Sequence, residues 1–306
     1  MCRTGLQKEK AMFVSVQGAR IHFSDSGEGI PTLFLHGIPD SHTVWDDVIA
    51  SIRGSYRCIA PDLPGFGQST VPTGFGVTLN GMADFVDAFL AALGITEPIN
   101  LVVHDIGGPY GLAWAVRHPD KVRSIAIMNT VFQSEYRWHR YGRICRTPVL
   151  GELLQLLTSQ SGLAQAIHRN SGLHKPSRAH IAATYRGFTG PVRRMVLRLY
   201  RGLDPEGFAH WDEQLRALAA RVPSLVIWGD RDTYIGNAFA GRFGSRQVVH
   251  LPQCGHWPMI EVPDVVSRHL LKLLAIAIGT REGIHADAPK ASLERLTLRG
   301  GPAEAR

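Results

Sequence analysis

Cysteine is scarce in this chain, and the few cysteines present form no metal-binding pattern. The 306 residues include four cysteines, with no CxxC pair among them: Cys2, Cys58, Cys145 and Cys254. This spacing indicates neither a cysteine metal site nor a disulfide framework. Reduced thiols in a cytoplasm fit this usage, and we therefore expect a cytoplasmic protein.

Long hydrophobic runs are absent as well. No stretch of about 18 or more apolar residues is available to span a bilayer. The first eight residues, MCRTGLQK, lack the apolar centre of a secretory signal. We therefore expect a protein that is neither exported nor membrane-spanning, with no membrane partner.

The basic residues do not follow a nucleic-acid-binding pattern. The formal net charge is +7, but aromatic and basic residues do not alternate repeatedly. A solvated basic surface explains the excess, and no nucleic-acid partner is predicted. With 44% hydrophobic and 19% charged residues, the chain has the composition of a globular protein with one sizeable core.

Short strand-like runs alternate with helical periodicity along most of the chain. Buried-type runs rich in β-branched residues or leucine occupy residues 32–36, 57–62, 99–105, 122–129, 224–229 and 247–251. Residues 13–16 and 20–24 predict an antiparallel hairpin at a sheet edge. Helical periodicity fills the intervals, as at 79–93, 109–116 and 265–274. The pattern predicts an α/β fold with a mostly parallel sheet and helices on both faces.

One interval breaks this alternation. Residues 131–220 contain helical segments punctuated by glycine and proline, and no convincing buried strand. We therefore predict an α/β core at residues 11–130 and 221–279, interrupted by a helical insertion at 131–220. From about residue 280 the periodicity is lost, so residues 280–306 are predicted to form a mobile tail.

Asp105 stands at a sharp turn between a predicted strand and a predicted helix. The segment PINLVVHDIGGP at 98–109 has the features of a nucleophile elbow, where hydrolases of this pattern usually carry serine. An aspartate, with a reference pKa of ~3.9, is already anionic at neutral pH and can displace a leaving group from saturated carbon. The product of that step is an alkyl ester of the enzyme.

Five segments in a fixed order carry a resemblance to a known family. They are HGIP at 36–39, DLPGFG at 62–67, the elbow at Asp105, GDRD at 229–232 and GH at 255–256. In this order they resemble the α/β-hydrolase superfamily, and within it the aspartate-nucleophile branch that holds epoxide hydrolases and haloalkane dehalogenases. Ligands in open α/β sheets bind outside such strand ends. The resemblance spans about residues 13–274 and implies that the insertion at 131–220 is a helical cap.

The resemblance also implies a base and an acid. His256 lies where the family places its catalytic base, which would deprotonate a water that attacks the Asp105 ester. Asp232 would orient the imidazole, because nucleophile, acid and histidine follow the superfamily's order. Asp230 is the alternative acid. Aspartates in such turns are often structural, so one of the two would only stabilise the turn. A lone histidine among 14 would more often be a loop residue bonded to backbone, but the elbow and Asp232 favour catalysis.

The leaving group separates the two activities of this branch. We expect the backbone N–H groups of Ile38 and Ile106 to stabilise the oxyanion of ester hydrolysis. Haloalkane dehalogenases also need side-chain N–H donors for the halide, usually a tryptophan directly after the nucleophile and a second donor elsewhere. Isoleucine at positions 38 and 106 offers no side-chain N–H donor, which leaves Trp138 as the candidate halide donor. Its alternative role is to pack the cap on the core.

Epoxide hydrolases instead use cap tyrosines, whose O–H groups meet the epoxide oxygen. The insertion offers four: Tyr136, Tyr141, Tyr185 and Tyr200. GFTGP at 187–191, followed by LYR at 199–201, is similar to the epoxide-hydrolase stretch that carries one such tyrosine, and Tyr136 falls where the other would lie. Tyr136, Tyr185 and Tyr200 are therefore candidate substrate contacts, although each taken singly can be structural.

We therefore predict a hydrolase that opens an epoxide to a vicinal diol through an ester of Asp105. The alternative is haloalkane hydrolysis by the same residues, and a third possibility is a non-catalytic binding protein of the same fold. No metal or organic cofactor is implied, because Asp, His and water supply both steps. The expected partners are a small apolar electrophile and water. The sequence does not give the oligomeric state.

Overall fold

The β-strands form one mostly parallel sheet in the computed structural model, which describes residues 12–72 and 74–286, the last seven by their backbone alone. The eight strands of this part of the chain are β1 (Met12–Val16), β2 (Ala19–Ser26), β3 (Pro31–Leu35), β4 (Arg57–Pro61), β5 (Ile99–His104), β6 (Val122–Met128), β7 (Ser224–Gly229) and β8 (Gln247–Leu251). Their order across the sheet is β1-β2-β4-β3-β5-β6-β7-β8. Strand β2 pairs antiparallel with β1 on one side and with β4 on the other, and the remaining neighbouring strands pair parallel. The predicted hairpin and parallel sheet are confirmed.

The central strands are apolar on both faces because helices cover both faces. Leu101 and Val103 of β5 pack with α2 (Leu79–Ala92) and α3 (Gly107–Arg117). Val102, between them, packs on the opposite face with α1 (Asp46–Ile52) and the long C-terminal helix. Successive side chains of a strand point to opposite faces, so an all-buried strand requires cover on both.

Six further helices lie between β6 and β7. They are α4 (Arg140–Arg146), α5 (Leu150–Leu157), α6 (Gln160–Asn170), α7 (Arg178–Gly187), α8 (Gly190–Gly202) and α9 (Ala209–Ala219). No strand occurs among residues 131–220, all of which the structure describes. Five of these helices rest above the carboxyl ends of the strands, whereas α9 packs on α3 of the core.

The chain returns to the core through β7, β8 and two helices, α10 (Pro258–Glu261) and α11 (Pro263–Ala286). The helix α11 continues to Ala286, seven residues into the segment predicted as a mobile tail. The rest of the predicted tail, residues 287–306, lies outside the described residues. Within the described residues no helix is both long and apolar enough to cross a membrane.

Candidate active site

Asp105 occupies a strained turn between β5 and α3. Its backbone has a φ of 48°, in the left-handed region that non-glycine residues seldom adopt. The turn is tight: a Cβ on Gly107 would lie 2.5 Å from the carbonyl oxygen of Leu35. Thr130, two residues after the end of β6, stabilises the turn by donating its hydroxyl to the Asp105 carbonyl. These contacts hold the carboxylate above the sheet, as the elbow motif predicts.

One of the two predicted oxyanion donors is in place. The N–H of Ile38 donates to Oδ1 of Asp105 at 2.7 Å. A side chain at Gly37 would collide with Asp105, since its Cβ would lie 2.5 Å from the Asp105 Cβ. Among the hydrogen bonds of the described residues, the N–H of Ile106 makes none to the Asp105 carboxylate. Of the two backbone groups predicted as oxyanion donors, only that of Ile38 therefore hydrogen-bonds to the carboxylate.

His256 lies between two carboxylates. Its Nδ1 is 2.7 Å from Oδ2 of Asp232, and its Nε2 is 3.5 Å from Oδ2 of Asp105. The alternative acid, Asp230, pairs with His250 at 2.7 Å instead. Of the two candidate acids, the fold therefore brings Asp232 to the imidazole, because the turn after β7 directs Asp232 inward and Asp230 outward.

The backbone positions Asp232 and His256 through residues that sequence reasoning missed. The N–H groups of Tyr234 and Ile235 donate to Oδ1 of Asp232 at 2.7 and 3.1 Å. Buried Glu261 of α10 accepts from Gly255 at 3.0 Å, directly before His256. His104 Nε2 lies 2.7 Å from the His256 carbonyl oxygen. No motif marks Glu261 or His104, since their partners are backbone atoms of distant segments.

Charge at the site is distributed so that the nucleophile is ionised. Burial by itself raises the pKa of Asp105, but His256 and the Ile38 N–H outweigh it and hold that pKa well below its ordinary value. Burial by itself lowers the pKa of His256, but Asp232 and Asp105 outweigh it and raise that pKa to about 10. In the resting site the imidazolium is therefore paired with two carboxylates.

A cavity of about 360 Å³ lies above Asp105 and His256, at the lower end of the size range of small-molecule sites. Apolar side chains from α5 and α6 form most of its outer wall, including Leu154, Leu157, Leu163 and Ile167. Its polar lining beyond the nucleophile and base consists mainly of three phenols and an imidazole: Tyr141, Tyr200, Tyr234 and His139. The cavity suits an uncharged, largely apolar ligand with a hydrogen-bonding group near Asp105.

The four residues predicted to contact the leaving group fall in different places. Tyr200 lines the cavity together with Asp105. The Tyr136 hydroxyl donates to the Tyr234 carbonyl at 3.2 Å, so that phenol is engaged by the backbone. Tyr185 is partly buried against the hydrophobic core and is not among the residues that line the cavity. Its selection as a substrate contact from the sequence is not supported by its position.

Trp138 borders a second, much smaller space beside Asp105. This space measures about 20 Å³, room for a single water-sized species, and Ile106 and Tyr200 also line it. The Trp138 indole N–H is shielded from solvent and has no hydrogen-bond partner among the described residues. Its ring meets that of Tyr200 edge on, with centroids 5.0 Å apart. Trp138 thus packs the insertion and keeps one unpaired donor near the nucleophile.

His139 was missed by the sequence analysis and has a defined protonation state. Burial lowers its pKa to about 4, so the ring is neutral at neutral pH. Its Nδ1 accepts from the Gly142 N–H at 3.3 Å and caps α4, which places the ring proton on Nε2. Nε2 lies 3.4 Å from the Tyr200 hydroxyl. A histidine that caps a helix carries no motif, so its role depends on where the helix begins.

One group of histidine and aspartate side chains elsewhere has the spacing of metal ligands. Ring nitrogens of His22 and His42 lie 3.0 and 2.7 Å from the two oxygens of Asp62. The same oxygens also accept backbone N–H groups from His42 and Gln68. We interpret this group as a hydrogen-bond network that holds the DLPGFG loop, because its acceptors are already occupied.

Comparison with known proteins agrees with this geometry. The family model for the alpha/beta hydrolase fold matches residues 31–263, and the chain belongs to that family. A position in the aspartate-nucleophile branch follows from Asp105 at the elbow and from the relatives described next. The chain is accordingly an enzyme of the α/β-hydrolase class.

Three similar proteins illustrate its relationships. The cis-3-alkyl-4-alkyloxetan-2-one decarboxylase of Shewanella oneidensis is 26% identical over 85% of this chain and 87% of its own. Haloalkane dehalogenase 2 of Mycobacterium tuberculosis is 28% identical over 86% of this chain and 94% of its own. The crystal structure of a putative ancestral haloalkane dehalogenase, AncHLD2, matches with a TM-score of 0.74 and 28% identity, covering 88% of this chain and 99% of that one.

Proposed function

We propose that this enzyme hydrolyses an epoxide to a vicinal diol through an alkyl ester of Asp105. The observation that carries the proposal is the lining of the Asp105 cavity, where Tyr200 and His139 supply donors while positions 38 and 106 supply no side-chain donor. An opening epoxide develops charge on an oxygen that needs a proton. A departing halide takes no proton and needs N–H donors beside the nucleophile, which the side chains at positions 38 and 106 do not supply.

The first step forms the ester. Oδ1 of Asp105 is held by the Ile38 N–H, which leaves Oδ2 to attack an epoxide carbon as the ring C–O bond breaks. The Tyr200 hydroxyl gives its proton to the leaving oxygen, which becomes the first hydroxyl of the diol. Burial raises the pKa of Tyr200, so the phenol is protonated at neutral pH and available as the acid.

His139 supports this proton transfer. Because its Nδ1 caps α4, its Nε2–H faces the Tyr200 oxygen at 3.4 Å. Before proton transfer, an N–H directed at that oxygen orients the Tyr200 O–H toward the cavity, and after transfer it stabilises the phenolate. The neutral state of His139 suits a donor, since a cation beside Asp105 and His256 would compete for the carboxylate.

The second step cleaves the ester. Esterification removes the negative charge of Asp105, which lowers the pKa of His256, so the imidazolium releases a proton that restores the Tyr200 phenol. The neutral imidazole then accepts a proton from water. The hydroxide attacks Cγ of Asp105, and the oxyanion forms on Oδ1, which already accepts a hydrogen bond from the Ile38 N–H. Asp232 holds the imidazolium during this step. Collapse of the tetrahedral intermediate breaks the ester C–O bond, and the departing alkoxide takes the proton of the added hydroxyl, which releases the diol and restores the carboxylate and the resting imidazolium.

A second candidate function is haloalkane hydrolysis by the same two carboxylates and histidine. The unpaired Trp138 N–H beside the 20 Å³ space favours it, since that space can hold a single ion. The M. tuberculosis relative, which is named for this activity, matches most of the chain. The S. oneidensis relative is named for an oxetan-2-one, a strained oxygen ring like the epoxide, and it favours the first candidate.

Substrates of matched shape test the two candidates. Purified enzyme is given epoxyhexane or bromohexane, with diol and bromide measured in parallel and the Asp105→Ala variant as the blank. We expect the epoxide to react at least about tenfold faster, because Trp138 alone leaves a buried halide short of hydrogen bonds. That shortage costs on the order of several kcal/mol, and each 1.36 kcal/mol is about tenfold in rate. Faster bromide release that is lost in Trp138→Phe would replace the epoxide proposal with the dehalogenase.

A further inference from the structure

The most exposed apolar surface among the described residues lies on α5 and the turn before it. Five side chains there are 46% to 76% exposed: Val149, Leu150, Leu153, Leu156 and Leu157. They make up five of the eight large hydrophobic side chains exposed in the described part of the chain. We call these five residues the α5 patch. A contiguous apolar surface of this kind on a folded protein marks a contact site.

The orientation of α5 is held by a polar residue that faces inward. Gln155 is 3% exposed and donates to the Tyr141 hydroxyl at 2.8 Å. Leu156, the next residue, is 76% exposed. A helix that only minimised its apolar exposure would show the opposite arrangement. The buried amide therefore fixes the rotation of α5 with its leucines toward solvent.

The α5 patch is continuous with the mouth of the active-site cavity. Leu157 is 75% exposed and also lines the cavity that contains Asp105. Leu154, on the adjoining stripe of the same helix, lines the cavity as well. Anything that covers the patch therefore lies at the entrance to the site.

The surface around the patch is strongly basic. The segment from α4 to α8, residues 140–202, contains 11 Arg and Lys residues and a single acidic residue, Glu152, whose partner is Arg201 at 2.7 Å. Its formal charge is +10, while the whole chain carries +7. Arg143 on α4 and Arg194 on α8 are exposed on the two helices that contact α5. The patch is thus apolar at its centre and cationic at its edges.

This charge discriminates between possible occupants. A symmetric contact with a second copy would bring two segments of +10 face to face, and their repulsion opposes association. An anionic lipid bilayer complements both features, since leucines enter the acyl boundary while arginines meet the headgroups. A bilayer surface also requires no shape-complementary pocket on the protein, and the α5 patch forms none.

We propose that the α5 patch docks on the surface of an anionic lipid bilayer and presents the cavity mouth to apolar substrate dissolved there. The proposal goes beyond the hydrolytic activity and holds for either leaving group. It departs from the sequence-based expectation of no membrane partner, which considers only segments long enough to span a bilayer. The α5 patch does not meet that criterion, because α5 has only eight residues. Its leucines form a contiguous surface only after folding.

Vesicle sedimentation tests the proposal without any substrate. The full chain is mixed with phosphatidylcholine vesicles that contain or lack phosphatidylglycerol, and bound protein is measured in the pellet. We expect binding to the anionic vesicles at least about tenfold above that to the neutral ones, with release at high salt. The double variant Leu153→Gln and Leu156→Gln should lose about tenfold in binding, since both side chains leave the interface.

Controls separate surface docking from damage to the enzyme. Leu153 and Leu156 do not line the cavity, so their double variant should retain wild-type turnover of a short water-soluble substrate. Ile276→Gln, on α11 beneath the sheet, should bind vesicles like the wild type. The charge reversals Arg143→Glu and Arg194→Glu, made together, should weaken binding to the anionic vesicles and leave binding to the neutral vesicles unchanged.

Three results would overturn the proposal. Wild-type protein that stays in the supernatant with anionic vesicles would exclude lipid docking. Vesicle binding unchanged by the leucine variant would move the contact elsewhere on the molecule. Concentration-dependent dimers in sedimentation velocity that the leucine variant abolishes, with no vesicle binding, would assign the α5 patch to a second copy.

Discussion

Asn129 donates from Nδ2 to Oδ2 of Asp232 at 2.9 Å, and the same oxygen lies 2.7 Å from His256 Nδ1. Asn129 follows β6 directly and also exchanges two hydrogen bonds with the backbone of Gly229 at the end of β7. Its φ of 33° is in the left-handed region, which asparagine tolerates better than most residues. One buried side chain thus joins two strand ends to the acid that holds the imidazole.

Replacing Asn129 with alanine should destabilise the fold and slow ester hydrolysis. The change leaves the Gly229 N–H and Oδ2 of Asp232 each short of one partner, at a cost of about 1–3 kcal/mol for buried groups. Urea denaturation measures the loss, and Asn80→Ala at an exposed helix position is the control. Equal unfolding midpoints for the two variants would contradict a structural role for Asn129.

Replacing His256 with glutamine should stop the reaction at the ester. Asp105 needs no base to attack, so alkylation continues, while the water that cleaves the ester is no longer activated. Intact-protein mass should show one substrate mass added. Asp105→Ala should show none. A His256→Gln protein that consumes no substrate and gains no mass would exclude the two-step mechanism.

Acid pH should make the wild-type ester accumulate. Alkylation requires ionised Asp105, whose pKa is held well below its ordinary value, so this step is insensitive to moderate acidity. Hydrolysis requires neutral His256, and the pKa of that group falls from about 10 once the Asp105 charge is gone. The hydrolysis rate should therefore rise with pH through the lowered pKa. Rapid-quench mass spectrometry across that range measures the ester, and a constant ester fraction would argue against this base.

Oxygen labelling should mark the nucleophile. In a single turnover in heavy-oxygen water, the solvent oxygen enters the carboxylate of Asp105, because water attacks Cγ of the ester. Peptide mass spectrometry of the segment that contains Asp105 detects the label. Label found in the product alone after one turnover would mean that water attacks the substrate directly.

The phenols should contribute unequally to epoxide opening. Tyr200→Phe removes the proposed acid and should lower kcat by about 100-fold or more, with little change in KM. His139→Gln, which keeps an N–H donor, should lower it less. Tyr136→Phe loses only a bond to the Tyr234 carbonyl and should change kcat by less than about threefold. A larger loss in Tyr136→Phe than in Tyr200→Phe would reverse these assignments.

The core could be predicted because its strands are buried on both faces. Such strands are nearly continuous apolar runs, and the boundaries predicted for β5 and β6 fall within one residue of those observed. The elbow is equally local, since Asp105, Gly107 and their neighbours specify a turn that few other residues tolerate. Chain order then places the later acid and histidine at the same sheet edge.

The insertion could not be predicted to the same depth. Tyr185, selected from its position in the chain, lies away from the cavity, while His139 and Tyr234 line it without having been selected. Helical periodicity gives an apolar face but not what that face meets. In α5 the polar Gln155 is buried and four of the five leucines are exposed, the reverse of what amphipathicity predicts.

The amino-acid sequence was sufficient for the class of fold, the aspartate at the elbow and the order of acid and base, because these depend on short segments whose conformations are locally determined. The choice of Asp232 over Asp230, the pairing of His139 with Tyr200 and the outward leucines of α5 depend on how distant segments pack. Contacts such as that between Tyr200 and His139, 61 residues apart, form only when the inserted helices settle on the sheet. Packing of that kind is decided by three-dimensional complementarity, which periodicity along the chain does not encode.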